Sequence, residues 1–252
     1  MASKILIKNK IAIDRMRAAG ALLAEVVTYI TPFIVEGVST LELDALMEAE
    51  MKRVGLKPEC KGYAGYQHAT CISINDVIVH GVPCKEDILK SGDFVKIDIV
   101  GSFKDYCADM ARSFFIGEVS PVVKQLARTA QRALDAGIAQ AVAGKRLHDI
   151  SATIQQEVEK DGFGIVKHFA GHGIGKSLHE APDVPNYGKF GTGPVLLEGM
   201  TLAIEPMITQ HSPAVRIMDD GWTAKTVDGG LAAHVEDTVL ITRNGAQILT
   251  RP

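Results

Sequence analysis

Four acidic side chains stand in runs that are otherwise suited to a protein interior. Asp98 lies in Phe94-Val-Lys-Ile-Asp-Ile-Val100, Glu205 in Thr201-Leu-Ala-Ile-Glu-Pro-Met207, and Glu236 just before a Thr-Val-Leu-Ile run, while Asp109 falls in the stretch that returns after Asp98. A carboxylate placed among Ile and Val costs heavily unless a counter-charge meets it. Taken singly, each acid is equally well a core ion pair with Lys or Arg. Taken together, one shared metal centre explains all four. A turn at Phe103-Lys104 would set Asp98 directly opposite Asp109, with Cβ atoms about 5 Å apart on one sheet face. Carboxylates that close require a proton or a cation between them.

Two histidines join this set. His172 sits in Gly171-His-Gly-Ile-Gly175 and His179 in Leu178-His-Glu-Ala-Pro182, where the glycines permit close backbone approach. His80, in Val79-His-Gly-Val-Pro83, is a weaker candidate, and His68, His148, His168, His211 and His234 read as structural. Asp98, Asp109, Glu205 and Glu236 carry four negative charges, which two divalent cations balance, a neutral His172 adding none. Two metals about 3.5–4 Å apart can activate a bridging water and clamp a hydrolytic transition state. Carboxylate and imidazole donors suit Mn, Fe, Co or Zn without choosing among them.

Composition narrows the setting. The chain has 252 residues, 46% hydrophobic and 23% charged, as in ordinary soluble domains. With 27 Lys+Arg against 30 Asp+Glu, the net charge of −3 argues against nucleic-acid binding. The basic residues Lys4, Lys8 and Lys10 read as a solvated terminus. Cys60, Cys71, Cys84 and Cys107 form no Cys-x-x-Cys pair, which disfavours a structural zinc site and suggests a reducing compartment. Without a signal peptide or an apolar stretch of about 18–20 residues, the expected class is soluble, cytoplasmic and unattached to membranes.

Apolar spacing predicts helices over 13–30, from Ser39 to Gly55, from Pro121 to about Val142, and over about 147–160. Ser39 with Glu42 forms a capping box, and Thr31-Pro32 closes the first helix. Strands are expected at 70–74, 77–79, 94–100, 111–116, 165–168, 201–208, 233–241 and 247–249, with Asn244-Gly245 as a hairpin turn. The order helix, helix, strands thus occurs twice. Gly37–Gly55 aligns with Gly144–Gly162 at an offset of 107 residues, matching Leu43 with Ile150, Met47 with Ile154 and Met51 with Val158. Two similar α+β halves, about 1–119 and 120–252, would join near Ser120-Pro121 in one domain, with chemistry in the cleft between them.

At these residues the sequence resembles the type I methionine aminopeptidases of the short bacterial kind, along essentially its whole length. The matching segments are 73–83, Lys96-Ile-Asp98 through Ala108-Asp109, 171–182, Ile204-Glu-Pro206 and Val235-Glu236. The resemblance implies the α+β pita-bread fold, two pseudo-symmetric halves with a central curved antiparallel sheet and outer helices. It implies removal of the initiator methionine when the second residue is small, by metal-activated water attacking the first peptide bond. Carried over, Asp98 chelates one metal, Asp109 and Glu236 bridge two, and His172 and Glu205 complete the shell. Glu205 also handles the proton of the water, His179 donates to the scissile carbonyl, and His80 contacts the peptide beyond the scissile bond. Tyr63, Tyr66, Cys71 and Trp222 form the methionine pocket, with His80 at its edge. Leu178 stands where the family commonly has an aromatic, which softens one wall. The resemblance further implies a monovalent cation on backbone carbonyls near Asn75, Val77 and Ala232. It makes the protein a monomer acting on N-termini of nascent polypeptides, with the ribosome a further expected partner.

Two other readings compete. A proline-directed peptidase of the same fold would cleave Xaa-Pro bonds, but those relatives usually carry an N-terminal domain for which there is no room here. A non-catalytic binding protein that lost its metals would show substituted ligands, whereas all five positions hold liganding side chains.

Overall fold

A computed structural model describes residues 5–252, so Lys4 lies outside the described residues. Helix α1 (Lys10–Ile30) is capped by Asn9, whose side chain accepts from Ala12 N, and it buries Met16, Ala19, Leu23, Val26 and Ile30. Helix α2 (Thr40–Arg53) opens on the expected capping box, with Glu42 N donating to Ser39 Oγ at 3.2 Å and Ser39 N donating to the Glu42 carboxylate at 2.9 Å. Strands β1 (Lys57–Pro58), β2 (Thr70–Ile74), β3 (Val77–Val79), β4 (Phe94–Phe103) and β5 (Tyr106–Phe115) follow. Helices α3 (Pro121–Gln140) and α4 (Leu147–Glu159) begin the second half. After them come β6 (Gly164–Ile165), β7 (Gly171–Gly173), β8 (Glu180–Val184), β9 (Thr201–Ile204) and β10 (Met207–Thr209). The chain ends with β11 (Val215–Ile217), β12 (Ala224–Thr226), β13 (Ala232–His234), β14 (Glu236–Thr242) and β15 (Gly245–Ile248). No helix among the described residues is long and apolar enough to cross a membrane.

The main antiparallel sheet runs β1-β4-β5-β14-β9-β7-β8, with β2 added beside β4 and β15 beside β14. Helices α1 and α2 pack Leu23, Leu43 and Met47 against Ile97, Ile99 and Met110 of β4 and β5. Helices α3 and α4 pack Leu134, Ile150 and Ile154 against Leu202, Ile204 and Val239 of β9 and β14. The pairing of β5 with β14, Ala111 opposite Glu236 and Met110 opposite Asp237, joins the two cores. The result is the expected α+β architecture, a central antiparallel sheet with helices outside it.

Backbone contacts also recur along the chain. Gly37 N donates to Leu89 O and Leu89 N to Val38 O, while Gly144 N donates to Leu196 O and Leu196 N to Lys145 O, the same pair displaced by 107 residues. All four bracketing glycines, Gly37, Gly55, Gly144 and Gly162, have positive φ. These recurrences support reading the chain as two pseudo-symmetric halves.

Several expected elements are placed differently. The β4–β5 turn is Lys104-Asp105, with φ of 50° and 69°, rather than Phe103-Lys104. Both central residues of such a turn need φ above zero, which Asp tolerates far better than Phe. Asp98 is therefore opposite Ala111, and Asp109 opposite Val100. A change of two in register keeps both acids on one face, as diagonal neighbours; a change of one would have parted them. The run 201–208 is broken at Glu205-Pro206, because Pro206 has no N–H for the ladder, and 233–241 is broken at Val235. In each case the chain passes between the main sheet and a smaller one ordered β13-β10-β6. The last hairpin turns at Arg243-Asn244, and Gly245 (φ 122°) opens the return strand. Lys8 is not solvated: it pairs with Glu180 at 2.6 Å, both side chains nearly buried.

Gly20 lies mid-helix in α1, where an added Cβ would stand 2.2 Å from Leu249 O. Helix propensity alone favours Gly20→Ala by about 1 kcal/mol. The clash is expected to outweigh it and leave the variant ~1–3 kcal/mol less stable, read as a lower urea midpoint; a raised midpoint would contradict this packing.

Candidate active site

The five candidate ligands stand on five neighbouring strands. In sheet order, Asp98 is on β4, Asp109 on β5, Glu236 opens β14, Glu205 directly follows β9, and His172 is on β7. Because strand side chains alternate, register decides which of them meet. Asp98 faces Ala111, which faces Glu236; Ile204, just before Glu205, faces Asp237; and His172 faces Ala203. The imidazole Nε2 of His172 lies 3.7 Å from Asp109 Oδ2 and 3.6 Å from Glu205 Oε1. Its Nδ1 is 2.9 Å from Gly173 O, which fixes the ring. The glycines around His172 are needed for space. A Cβ on Gly171 would lie 2.4 Å from Ala203 O, and one on Gly173 2.3 Å from Ala181 O, so β8 and β9 can close on both sides only without side chains there.

Electrostatically the cluster is incomplete. Among the described residues, no Lys or Arg forms an ion pair with Asp98, Asp109, Glu205 or Glu236. The contrast with Asp237 is direct. One residue further along, on the opposite face and fully buried, it accepts from Arg112 Nη2 at 2.8 Å and from Thr250 Oγ1 at 2.7 Å, and it also pairs with Arg251. By contrast, Asp98 Oδ1, Asp109 Oδ1 and Glu236 Oε1 are buried without any hydrogen-bond partner. Burial raises the Asp98 carboxyl to about 6, His234 opposing and Glu205 adding to the rise, and burial raises Glu205 to about 8. Burial and the neighbouring acids push Asp109 and Glu236 well above the usual carboxylate range. His172 is driven the other way, to about 3, by burial and by His179, so its imidazole is neutral and free to ligate. Ligand atoms of Asp109, His172 and Glu236 all fall within 4.8 Å of one another. Oxygen and neutral nitrogen donors with an uncompensated negative charge fit divalent cations.

The cluster forms the floor of a cavity of about 130 Å³. Its walls hold every residue expected from the sequence: His80, His179, Tyr63, Tyr66, Cys71, Leu178 and Trp222. The His179 ring is 4.2 Å from that of His172, and its Nδ1 is 2.9 Å from Tyr63 Oη. His80 has φ of 59°, a conformation uncommon outside glycine that holds its ring edge-on to Phe169 at 5.2 Å. Gly81 follows because a Cβ there would lie 2.2 Å from Ile72 O. Tyr66, 3% exposed, donates to Thr70 O at 2.9 Å and meets the Trp222 ring edge-on at 5.0 Å. Asp44 of α2, buried, accepts from Ala69 N, Thr70 N and Thr70 Oγ1, which fixes the strand that carries Cys71 into the wall.

Three residues at the site were missed by sequence reasoning. Val100 shares a face with Asp98 two positions before it, a relation the strand period already contained. Cys60 lies beside Cys71, and the thiol pair had no spacing signal. His234, read as structural, has its buried Nε2 3.4 Å from Glu205 Oε2 and 4.0 Å from Glu236 Oε2. Its position two residues before Glu236 was the available clue.

Comparison with known proteins agrees with this geometry. The model of metallopeptidase family M24 matches residues 14–243. A curated methionine aminopeptidase of Clostridium acetobutylicum is 43% identical, over 98% of this chain and 98% of its own length. The crystal structure of a methionine aminopeptidase from Thermotoga maritima superposes with a TM-score of 0.97 at 42% identity, covering 99% of this chain and 100% of that one. A prolidase from Pyrococcus furiosus is more distant, at 26% identity and a TM-score of 0.80, and only 65% of it is covered. The chain belongs to metallopeptidase family M24.

Proposed function

We propose that the chain removes N-terminal methionine from polypeptides whose second residue is small, as a methionine aminopeptidase with two divalent metal ions. The observation that carries this reading is the set of buried, unpaired carboxylates on adjacent strands beneath a pocket of aromatic and thiol side chains. Asp98 would hold one ion, Asp109 and Glu236 both, and His172 and Glu205 would complete the set. Bound divalent ions supply Lewis acidity and a water activated near neutral pH. Glu205, reaching the cluster from the end of β9, would take a proton from the attacking water and pass it to the departing amine. For His179 to donate from Nε2 to the scissile carbonyl as charge develops, Tyr63 Oη–H must donate to Nδ1, a tautomer that the 2.9 Å contact accommodates. Tyr63, Tyr66, Cys60, Cys71, Leu178 and Trp222 suit a thioether, since sulfur packs favourably against aromatic rings. His80 lines the same cavity and on this reading would contact the peptide beyond the scissile bond. The substrates on this reading are nascent polypeptides, met at the ribosome by a monomeric enzyme; the four free cysteines fit a reducing compartment such as the cytoplasm.

Cleavage of Met-Ala-Ser, with no turnover of Xaa-Pro peptides and full loss under chelation, is the expected assay result. Turnover of the proline peptide alone, or cleavage insensitive to chelator, would contradict it. Asp109→Ala should abolish turnover and divalent binding together. His179→Ala should lower kcat about 10²–10³-fold while divalent affinity stays unchanged; equal kcat would remove the proposed donor.

Without metal, Glu205, raised to about 8, is largely protonated near neutrality and Asp109 and Glu236 are pushed the same way, while Asp98, at about 6, is mostly ionised; ligation requires the carboxylate form. Metal binding at pH 7 should therefore release protons, and affinity should climb as pH rises from about 6 to 8. Calorimetry in buffers of different ionisation enthalpy measures the proton count, and binding without proton release would contradict the site.

A further inference from the structure

One buried basic side chain has no part in the chemistry above. Lys96 lies on β4 two residues before Asp98, on the same face, and is 1% exposed. Its Nζ donates to the backbone carbonyl of Asn75 at 2.9 Å and sits 5.2 Å from the centre of the Phe94 ring. Ala232 N donates to the same Asn75 oxygen at 3.0 Å. A carbonyl oxygen has two lone pairs, so both are engaged. The Asn75 turn is rigidly held: Asn75 has φ of 49°, its Nδ2 donates to Asp93 Oδ1 at 2.8 Å, and its Oδ1 accepts from Phe94 N at 2.9 Å. Burial draws the Lys96 amine down to about 7, with Asp76 and Asp93 favouring the charged form.

This arrangement disagrees with the monovalent cation that the resemblance implied near Asn75, Val77 and Ala232. The Asn75 carbonyl has no free lone pair, and an ion there would have to share its ligand with a side-chain amine. The amine fills the space in either protonation state, and when protonated it repels a second cation. We propose that the Lys96 amine takes the place of that ion, tying β4 to the Asn75 turn at the same carbonyl that β13 meets through Ala232 N, so that this enzyme needs no bound sodium or potassium. Lys96 is then a positioning residue. The segments it joins lead within a few residues to Asp98 on one side and to His234 and Glu236 on the other. The inference does not depend on the peptidase reading.

The test is the melting temperature of the metal-loaded enzyme in choline chloride, sodium chloride and potassium chloride at equal ionic strength. The wild type should melt at one temperature in all three salts. Lys96→Ser, which opens the cradle, should melt several degrees lower in choline and recover part of that loss as sodium or potassium is added. Lys96→Met, which fills the space without the charge, should melt lower and not recover. A saturable rise of the wild-type melting temperature with sodium or potassium would overturn the proposal. So would a serine variant as stable as wild type and indifferent to cations. Should the serine variant fail to fold in any salt, the wild-type comparison still decides.

Discussion

Four carboxylates are held together in the interior of this protein, and among the described residues no Lys or Arg pairs with them. Each alone would be expensive, and together they repel, so protons or metal ions must share the site with them. The fold accepts that cost where strands from both halves meet. The β5–β14 pairing brings Asp109 and Glu236 onto one face as diagonal neighbours, β4 adds Asp98 on one flank, and β9 and β7 add Glu205 and His172 on the other. The pairing of Asp237 with Arg112 and Arg251, on the opposite face of the same strand, shows that the chain neutralises a buried acid where no ion is wanted.

The rest of the site is arranged around backbone that has to come unusually close. Gly171 and Gly173 let three strands converge on His172, and Gly81 lets the His80 turn lie against β2. The strained φ of His80 and the Lys104-Asp105 turn are the corresponding local costs. The turn matters because it sets the register that keeps Asp98 and Asp109 on one face.

Much of this was legible in the residues. Isolated acids in apolar runs pointed to the donor set, and glycines flanking His172 pointed to close approach. Helix positions followed from apolar periodicity, and Ser39-Glu42 from capping chemistry. What escaped was conformational or long-range. A glycine-rich segment such as 171–173 carries no strand signal, so β7 was not expected. The breaks at Pro206 and Val235 depend on which sheet each half-strand joins. His234 was set aside because nothing local says that its ring faces Glu205, and Lys96, which sits within a quoted motif, gave no sign of the carbonyl it would meet.

The central claim is that these acids share metal ions rather than protons or distant bases. Anomalous scattering from crystals grown with manganese tests it directly. Peaks lying among Asp98, Asp109, His172, Glu205 and Glu236 are expected. A cavity without anomalous density, its carboxyls joined to one another through protons, would contradict the claim.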